Sequence, residues 1–117
     1  MSKIMIVDDD PNIRELIRVL LRNGGFDSCE AADGRDALRV ITQENPDLAV
    51  IDLMMPNMDG YELCRNLRKY YENLPVLMLT ADPDILIYSL HKKILYLNKK
   101  MLKYLHLSLM ICYNYFQ

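Results

Sequence analysis

Four short strand-like segments, the second weaker than the others, separated by stretches of helical period, constrain the fold of this chain more than any other feature. Lys3-Ile4-Met5-Ile6-Val7, Phe26 to Glu30, Leu48-Ala49-Val50-Ile51 and Pro75-Val76-Leu77-Met78-Leu79 have the length of strands, and three of them are apolar enough for burial on both faces. Between the first two, Asp10-Pro11 supplies an N-cap and a first-turn proline, and Ile13, Leu16, Ile17, Leu20 and Leu21 mark one helical face before Gly24-Gly25 ends it. Gly34 to Glu44, with Leu38 and Ile41 inward, is broken by Asn45-Pro46. Asp59 to Tyr71 repeats Leu63, Cys64, Leu67 and Tyr71 at helical spacing. Strands alternating with helices over short loops predict an α/β fold with a parallel sheet covered on both faces, its crossovers right-handed.

A chain of 117 residues with 51% apolar content is one domain's worth and folds as a single unit over 1–117. The formal net charge of -2 speaks against nucleic-acid binding through this chain. Asp8, Asp9 and Asp10 interrupt the N-terminus too early for a secretory signal. No run reaches the roughly 18 apolar residues of a membrane span. Cys29, Cys64 and Cys112 form no C-x-x-C pair and read as free thiols of a reducing compartment, so a cytoplasmic location is expected. His91 and His106 have no partner at ligand spacing and read as surface or packing residues.

Composition changes abruptly after Asp82. Residues 83–117 contain no Gly, Ala, Val, Thr, Glu or Arg and carry +4, whereas residues 1–82 carry -6. In this atypical ending Leu86, Leu90, Ile94, Leu97 and Met101 recur at helical spacing, which predicts a fourth helix. Leu105, Leu107, Leu109, Ile111 and Tyr113 alternate, which predicts a fifth strand. One long helix is the alternative.

In a parallel sheet functional groups collect at the carboxyl ends of strands. Here Val7 runs into Asp8-Asp9, Ile51 into Asp52 and Leu79 into Thr80. If the first and third strands are neighbours, three carboxylates converge, which is unfavourable unless a cation joins them. A small all-oxygen pocket with room for water suits Mg²⁺. The same arrangement suits phosphoryl transfer to Asp52, with Thr80 able to hydrogen-bond a phosphoryl oxygen.

Ile6-Val7-Asp8-Asp9-Asp10, the run from Ile51 to Gly60, and Met78-Leu79-Thr80-Ala81 together resemble the receiver domain of bacterial two-component response regulators over residues 1–82. The resemblance implies a flavodoxin-like, doubly wound sheet of five strands in the order 2-1-3-4-5. It implies Asp52 as phospho-acceptor, and Asp8, Asp9, Asp52 and the Met54 backbone carbonyl as the Mg²⁺ site. Thr80 and Ala81 match the switch and phosphoryl-binding positions, Pro56 and Gly60 shape the loop after the acceptor, and Asp10 serves as N-cap. The implied partner is a sensor histidine kinase or phosphotransfer protein, with a second copy of the chain as a further candidate.

Family members also carry a lysine at the end of the fifth strand, usually followed by proline, and an aromatic residue within that strand. The usual spacing from Thr80 reaches Leu102, so Lys103 is the nearest candidate, while Lys99 or Lys100 needs a shifted register. The run that usually precedes the strand is absent, and the final residues show no clearly amphipathic, capped helix. A change of reading frame after about codon 82 would produce the shift to Leu, Ile, Lys, Asn and Tyr. Two other functions compete: a phosphorylation-independent interaction module, and an aspartyl-phosphate phosphatase, for which the chain offers no substrate-binding cap.

Overall fold

The computed structural model describes residues 2–82, 87–90 and 94–115, the last five of these and residues 87–90 through their backbone alone. Strands β1 (Lys3–Val7), β2 (Asp27–Ala31), β3 (Leu48–Asp52) and β4 (Val76–Thr80) alternate with helices α1 (Pro11–Asn23), α2 (Gly34–Glu44) and α3 (Gly60–Arg68). Then come β5 (Ile87–Leu90), β6 (Ile94–Asn98), a 3₁₀ segment over Lys99–Tyr104, and α4 (Leu105–Tyr115). The sheet order is β2-β1-β3-β4-β6-β5. Its five parallel strands follow the expected 2-1-3-4-5 order, with β6 in fifth place, and β5 is an added antiparallel edge strand.

Each of the first three helices begins on an aspartate. Asp10 accepts from the Asn12 N–H, Asp33 from that of Asp36 and Asp59 from that of Glu62, each cap worth about 1 kcal/mol. Asn45 ends α2 with φ +48°, in the left-handed region, and its N–H bonds the Ile41 carbonyl just before Pro46. Two apolar layers flank the sheet. One joins Met5, Ala49, Ile51 and Met78 to Ile41 of α2 and Leu67 of α3. The other joins Ile4, Val50, Leu77 and Leu97 to Ile17 of α1 and Leu109 of α4.

The ending departs from both expectations drawn for it. Where helical spacing predicted a fourth helix, the described residues form β5 and β6; Leu86 lies outside them, as do His91, Lys92 and Lys93. The reason is that β6 is buried on both sides. Leu95 and Leu97 face the α1–α4 layer, and Ile94 and Tyr96 the other. A continuous apolar run of this kind carries no distinguishing period. Conversely, the predicted fifth strand over residues 105–113 is helical. Its burial follows the helical period, with Leu105, Ser108 and Leu109 buried while Leu107 is 51% exposed. The buried Ser108 hydroxyl donates to the Tyr104 carbonyl at 2.9 Å, one turn back, which removes the cost of an unpaired polar group.

Candidate functional site

The carboxyl ends of β1, β3, β4 and β6 meet at one rim of the sheet. Register places Val7 beside Ile51, Asp52 beside Leu79 and Thr80 beside Asn98. Asp8 and Asp52 are almost fully buried and Asp9 is exposed, yet a carboxylate oxygen from each lies within 4.8 Å of the others. Asp8 Oδ1 accepts the Asp10 N–H at 2.9 Å, and the Asp8 carbonyl accepts from Arg14 Nη1. Asp8 Oδ2 is buried without a hydrogen-bond partner.

That orphaned oxygen is the pocket's electrostatic fault line. Burial pushes the Asp8 carboxyl up to about 6. The Asp10 N–H works against the rise, the Asp52 and Asp9 charges add to it, and Lys99 opposes them. An all-oxygen set containing one buried, unpaired carboxylate oxygen fits a hard divalent cation such as Mg²⁺.

The cation that the protein itself supplies is Lys99. Its Nζ lies 2.9 Å from Asp52 Oδ1, with side-chain exposures of 30% and 2%. Burial pulls the Lys99 ammonium down, but the hydrogen bond and charge of Asp52, with Asp8 and Asp9 behind, outweigh it and hold the pKa above its ordinary value. This corrects the choice of Lys103, which is exposed and lies over the Tyr104 ring with its Nζ 5.2 Å from the centroid. The spacing count assumed a helical crossover between β4 and β6. Here an extended strand makes the return; at about 3.3 Å per residue against 1.5 Å for a helix it needs fewer residues, so Lys99 arrives three positions before Leu102. Tyr96, three residues before Lys99, puts a buried aromatic ring in the strand, 6.3 Å from that of Tyr61.

The remaining site residues fall into two groups. Thr80 is buried at the end of β4, and its Oγ1 accepts the Asp82 N–H at 3.1 Å, while Ala81 beside it is exposed. Met54 follows β3 and is 71% exposed, and its N–H makes a long 3.3 Å bond to Asp52 Oδ1. The loop itself is built on Pro56, whose carbonyl accepts the Met58 N–H at 2.8 Å around Asn57, at φ +69°. At Gly60 a Cβ would stand 2.6 Å from Met78 Sδ, 2.8 Å from Leu53 Cα and 2.9 Å from the Asp52 carbonyl oxygen. Only glycine lets α3 start this close to the acceptor strand. Asp10 is the α1 cap, as expected.

Burial pushes the Cys29 and Cys64 thiols up to about 11, away from reactivity; Cys112's side chain lies outside the described residues. His106 packs against Phe26, centroids 6.1 Å apart. Tyr70 is 83% exposed while Tyr71 packs on the core. Among the described residues no helix is long and apolar enough to cross a membrane. Sequence reasoning missed Asn98, a buried amide beside Thr80; its signal was an N-cap residue just ahead of Lys99-Lys100.

Comparison with known proteins agrees with this geometry. The family model described as response regulator receiver domain matches residues 4–103. A probable transcriptional regulator, ycf27, of Porphyridium aerugineum is 45% identical over 84 residues, 72% of this chain and 35% of that protein. The chain spans about a third of the length of such curated relatives. A response regulator receiver domain protein from Clostridium thermocellum superposes with TM-score 0.83 at 26% identity, covering 97% of this chain and 95% of that one. The response regulator TrrA from Thermotoga maritima, solved with Mg²⁺-BeF, gives 0.82 at 29% identity, covering 96% and 99%. With buried Asp52 bridged to Lys99 beside Asp8 and Asp9, and a family match running through β6, the chain belongs to the response regulator receiver domain family.

Proposed function

We propose that this chain accepts a phosphoryl group on Asp52, from a sensor histidine kinase or phosphotransfer protein, in a Mg²⁺-dependent cytoplasmic signalling relay. The observation that carries the reading is the Lys99–Asp52 contact of 2.9 Å inside a pocket that also holds Asp8 and Asp9. A structural ion pair alone would not need two further carboxylates crowded against it, one with an orphaned oxygen.

Asp8, Asp9, Asp52 and the Met54 carbonyl are the groups that would hold Mg²⁺, which would supply charge neutralisation for the incoming phosphoryl group. Asp52 is the nucleophile. Its Oδ1 is engaged by Lys99 and the Met54 N–H, which orients the carboxylate and leaves Oδ2 outside those two bonds. A carboxylate oxygen attacks phosphorus, the bond from phosphorus to the donor nitrogen breaks, and the donor imidazole departs with that electron pair. Lys99 then pairs with the phosphoryl oxygens. Thr80 donates its hydroxyl to one of them after turning from the Asp82 N–H, and the small Ala81 leaves the approach open. Tyr96 is placed to follow the movement from within β6.

Incubation with Mg²⁺ and acetyl phosphate, followed by intact mass measurement, tests this. One phosphoryl group should appear, vanish on addition of a chelator before the donor, and be absent from an Asp52→Asn variant. A protein that stays unmodified would favour the phosphorylation-independent module, a reading that has its own support in the replacement of a crossover helix by β5.

A further inference from the structure

Two side chains proposed to meet the phosphoryl group sit on separate segments: Thr80 at the end of β4, Lys99 at the start of the 3₁₀ segment after β6. A buried amide joins these segments. Asn98, 3% exposed, donates from Nδ2 to the Asp82 carbonyl at 2.7 Å and accepts the Lys100 N–H on Oδ1 at 2.9 Å. The partners fix the amide's orientation, because a carbonyl only accepts and a backbone N–H only donates. The Asp82 N–H in turn donates to Thr80 Oγ1 at 3.1 Å, and Thr80 and Asn98 are register partners on adjacent strands. A continuous path therefore runs from the Thr80 hydroxyl through the Asp82 backbone and the Asn98 amide to Lys100, next to Lys99. Both ends of the amide are satisfied in a buried place, so neither bond is readily exchanged for water.

We propose that Asn98 is a positioning residue that couples movement of the Thr80 loop to the placement of Lys99. This rests on the phosphoryl-accepting reading above and adds a named link to it. When the Thr80 hydroxyl turns toward a phosphoryl oxygen it gives up the Asp82 N–H. As the Asp82 peptide follows, its carbonyl carries the Asn98 amide with it. Asn98 is also the N-cap of the segment bearing Lys99, so the same movement resets the turn from which the ammonium reaches Asp52. The cap alone would not require the Asp82 bond, since serine or aspartate caps as well.

The test uses that difference. In Asn98→Ser the hydroxyl can still cap Lys100 but is too short to reach the Asp82 carbonyl. In Asn98→Asp the carboxylate can cap but cannot donate. The full chain, ¹⁵N-labelled with Mg²⁺, is titrated with beryllofluoride while the Asp82 and Lys100 amide resonances are followed. In the wild type both move with one midpoint. In either variant Asp82 should keep its displacement while that of Lys100 falls below half. The saturating rate of phosphorylation by acetyl phosphate should drop about 2- to 30-fold, with the half-saturating concentration unchanged. If serine prevents folding, the aspartate variant is read by the same criteria. Lys100 displacement and rate equal to wild type in a folded variant would overturn the coupling and leave Asn98 a cap. Failure of beryllofluoride to move any wild-type resonance would instead overturn the phosphoryl-accepting reading itself.

Discussion

Within residues 2–82 every helix has both an apolar face and an aspartate cap, and three of the four strands, β1, β3 and β4, end where chemistry is needed. Beyond Thr80 the polypeptide reaches a similar outcome with neither signal. No helix is described between β4 and β6, a short antiparallel strand takes the sheet edge, and α4 starts from a 3₁₀ segment rather than a capped loop. Yet β6 lies where a fifth parallel strand belongs, Lys99 meets Asp52, and α4 covers the face it shares with α1. The difference teaches that a receiver pocket depends on where a strand ends and which residue follows it, and tolerates a change in how the chain arrives there.

The comparison breaks most sharply at α4. Leu109 is 1% exposed and Leu107 51%, although an alternating strand would put both on one face. Leu109→Ala should cost about 2–5 kcal/mol and Leu107→Ala no more than about 0.5, as read by urea unfolding. Similar costs for the two would restore the strand. In the well-signalled half, Gly60→Ala should lose about 1–3 kcal/mol, because the new Cβ meets the backbone of Leu53 and Asp52 and not just a movable side chain.

Asp8→Asn should act in the opposite direction. Its carboxyl sits at about 6 in the folded protein against an ordinary 3.8, so the folded state binds the extra proton between those values. Stability from this group is therefore greatest below about pH 4 and falls as pH rises toward 6. At pH 7 without divalent cation the asparagine variant should be more stable by about 1–3 kcal/mol. It should lose most of the stabilisation that Mg²⁺ gives the wild type in a thermal melt. A smaller effect is expected from Lys99→Met without metal. Removing one partner of a dry ion pair costs about 3–5 kcal/mol, but Lys99 keeps some solvent contact, which brings the expected loss to about 1–2 kcal/mol.

The early elements were legible because apolar faces and chain breakers agreed in them: Asp10-Pro11 and Gly24-Gly25 bound the first helix and Asn45-Pro46 ends the second, while the Asp33 and Asp59 caps emerged only from the structure. The triad of Asp8, Asp9 and Asp52 was legible for a related reason, since strand ends collect function and these strands are neighbours. The tail was not, because Leu, Ile and Tyr fill 17 of its 35 positions and are spread along its whole length. Both the helical and the alternating period can be found in such a run. What decided between them was tertiary: burial of β6 from both sides, and a place beside α1 for α4. Lys99 was passed over because the spacing count carried a helical crossover into a chain that makes an extended one. Asn98 was legible at most as a cap ahead of Lys99-Lys100, since its bond to Asp82, sixteen residues earlier, leaves no mark in the sequence.

Whether the divergent ending completes the pocket is best settled by comparing the beryllofluoride- and Mg²⁺-induced rise in melting temperature of the wild type, Lys99→Ala and Lys103→Ala. Lys103→Ala should retain the full rise and Lys99→Ala should lose most of it. The reverse pattern, or an equal rise in all three, would contradict the assignment of Lys99 as the cation of the phosphoryl site.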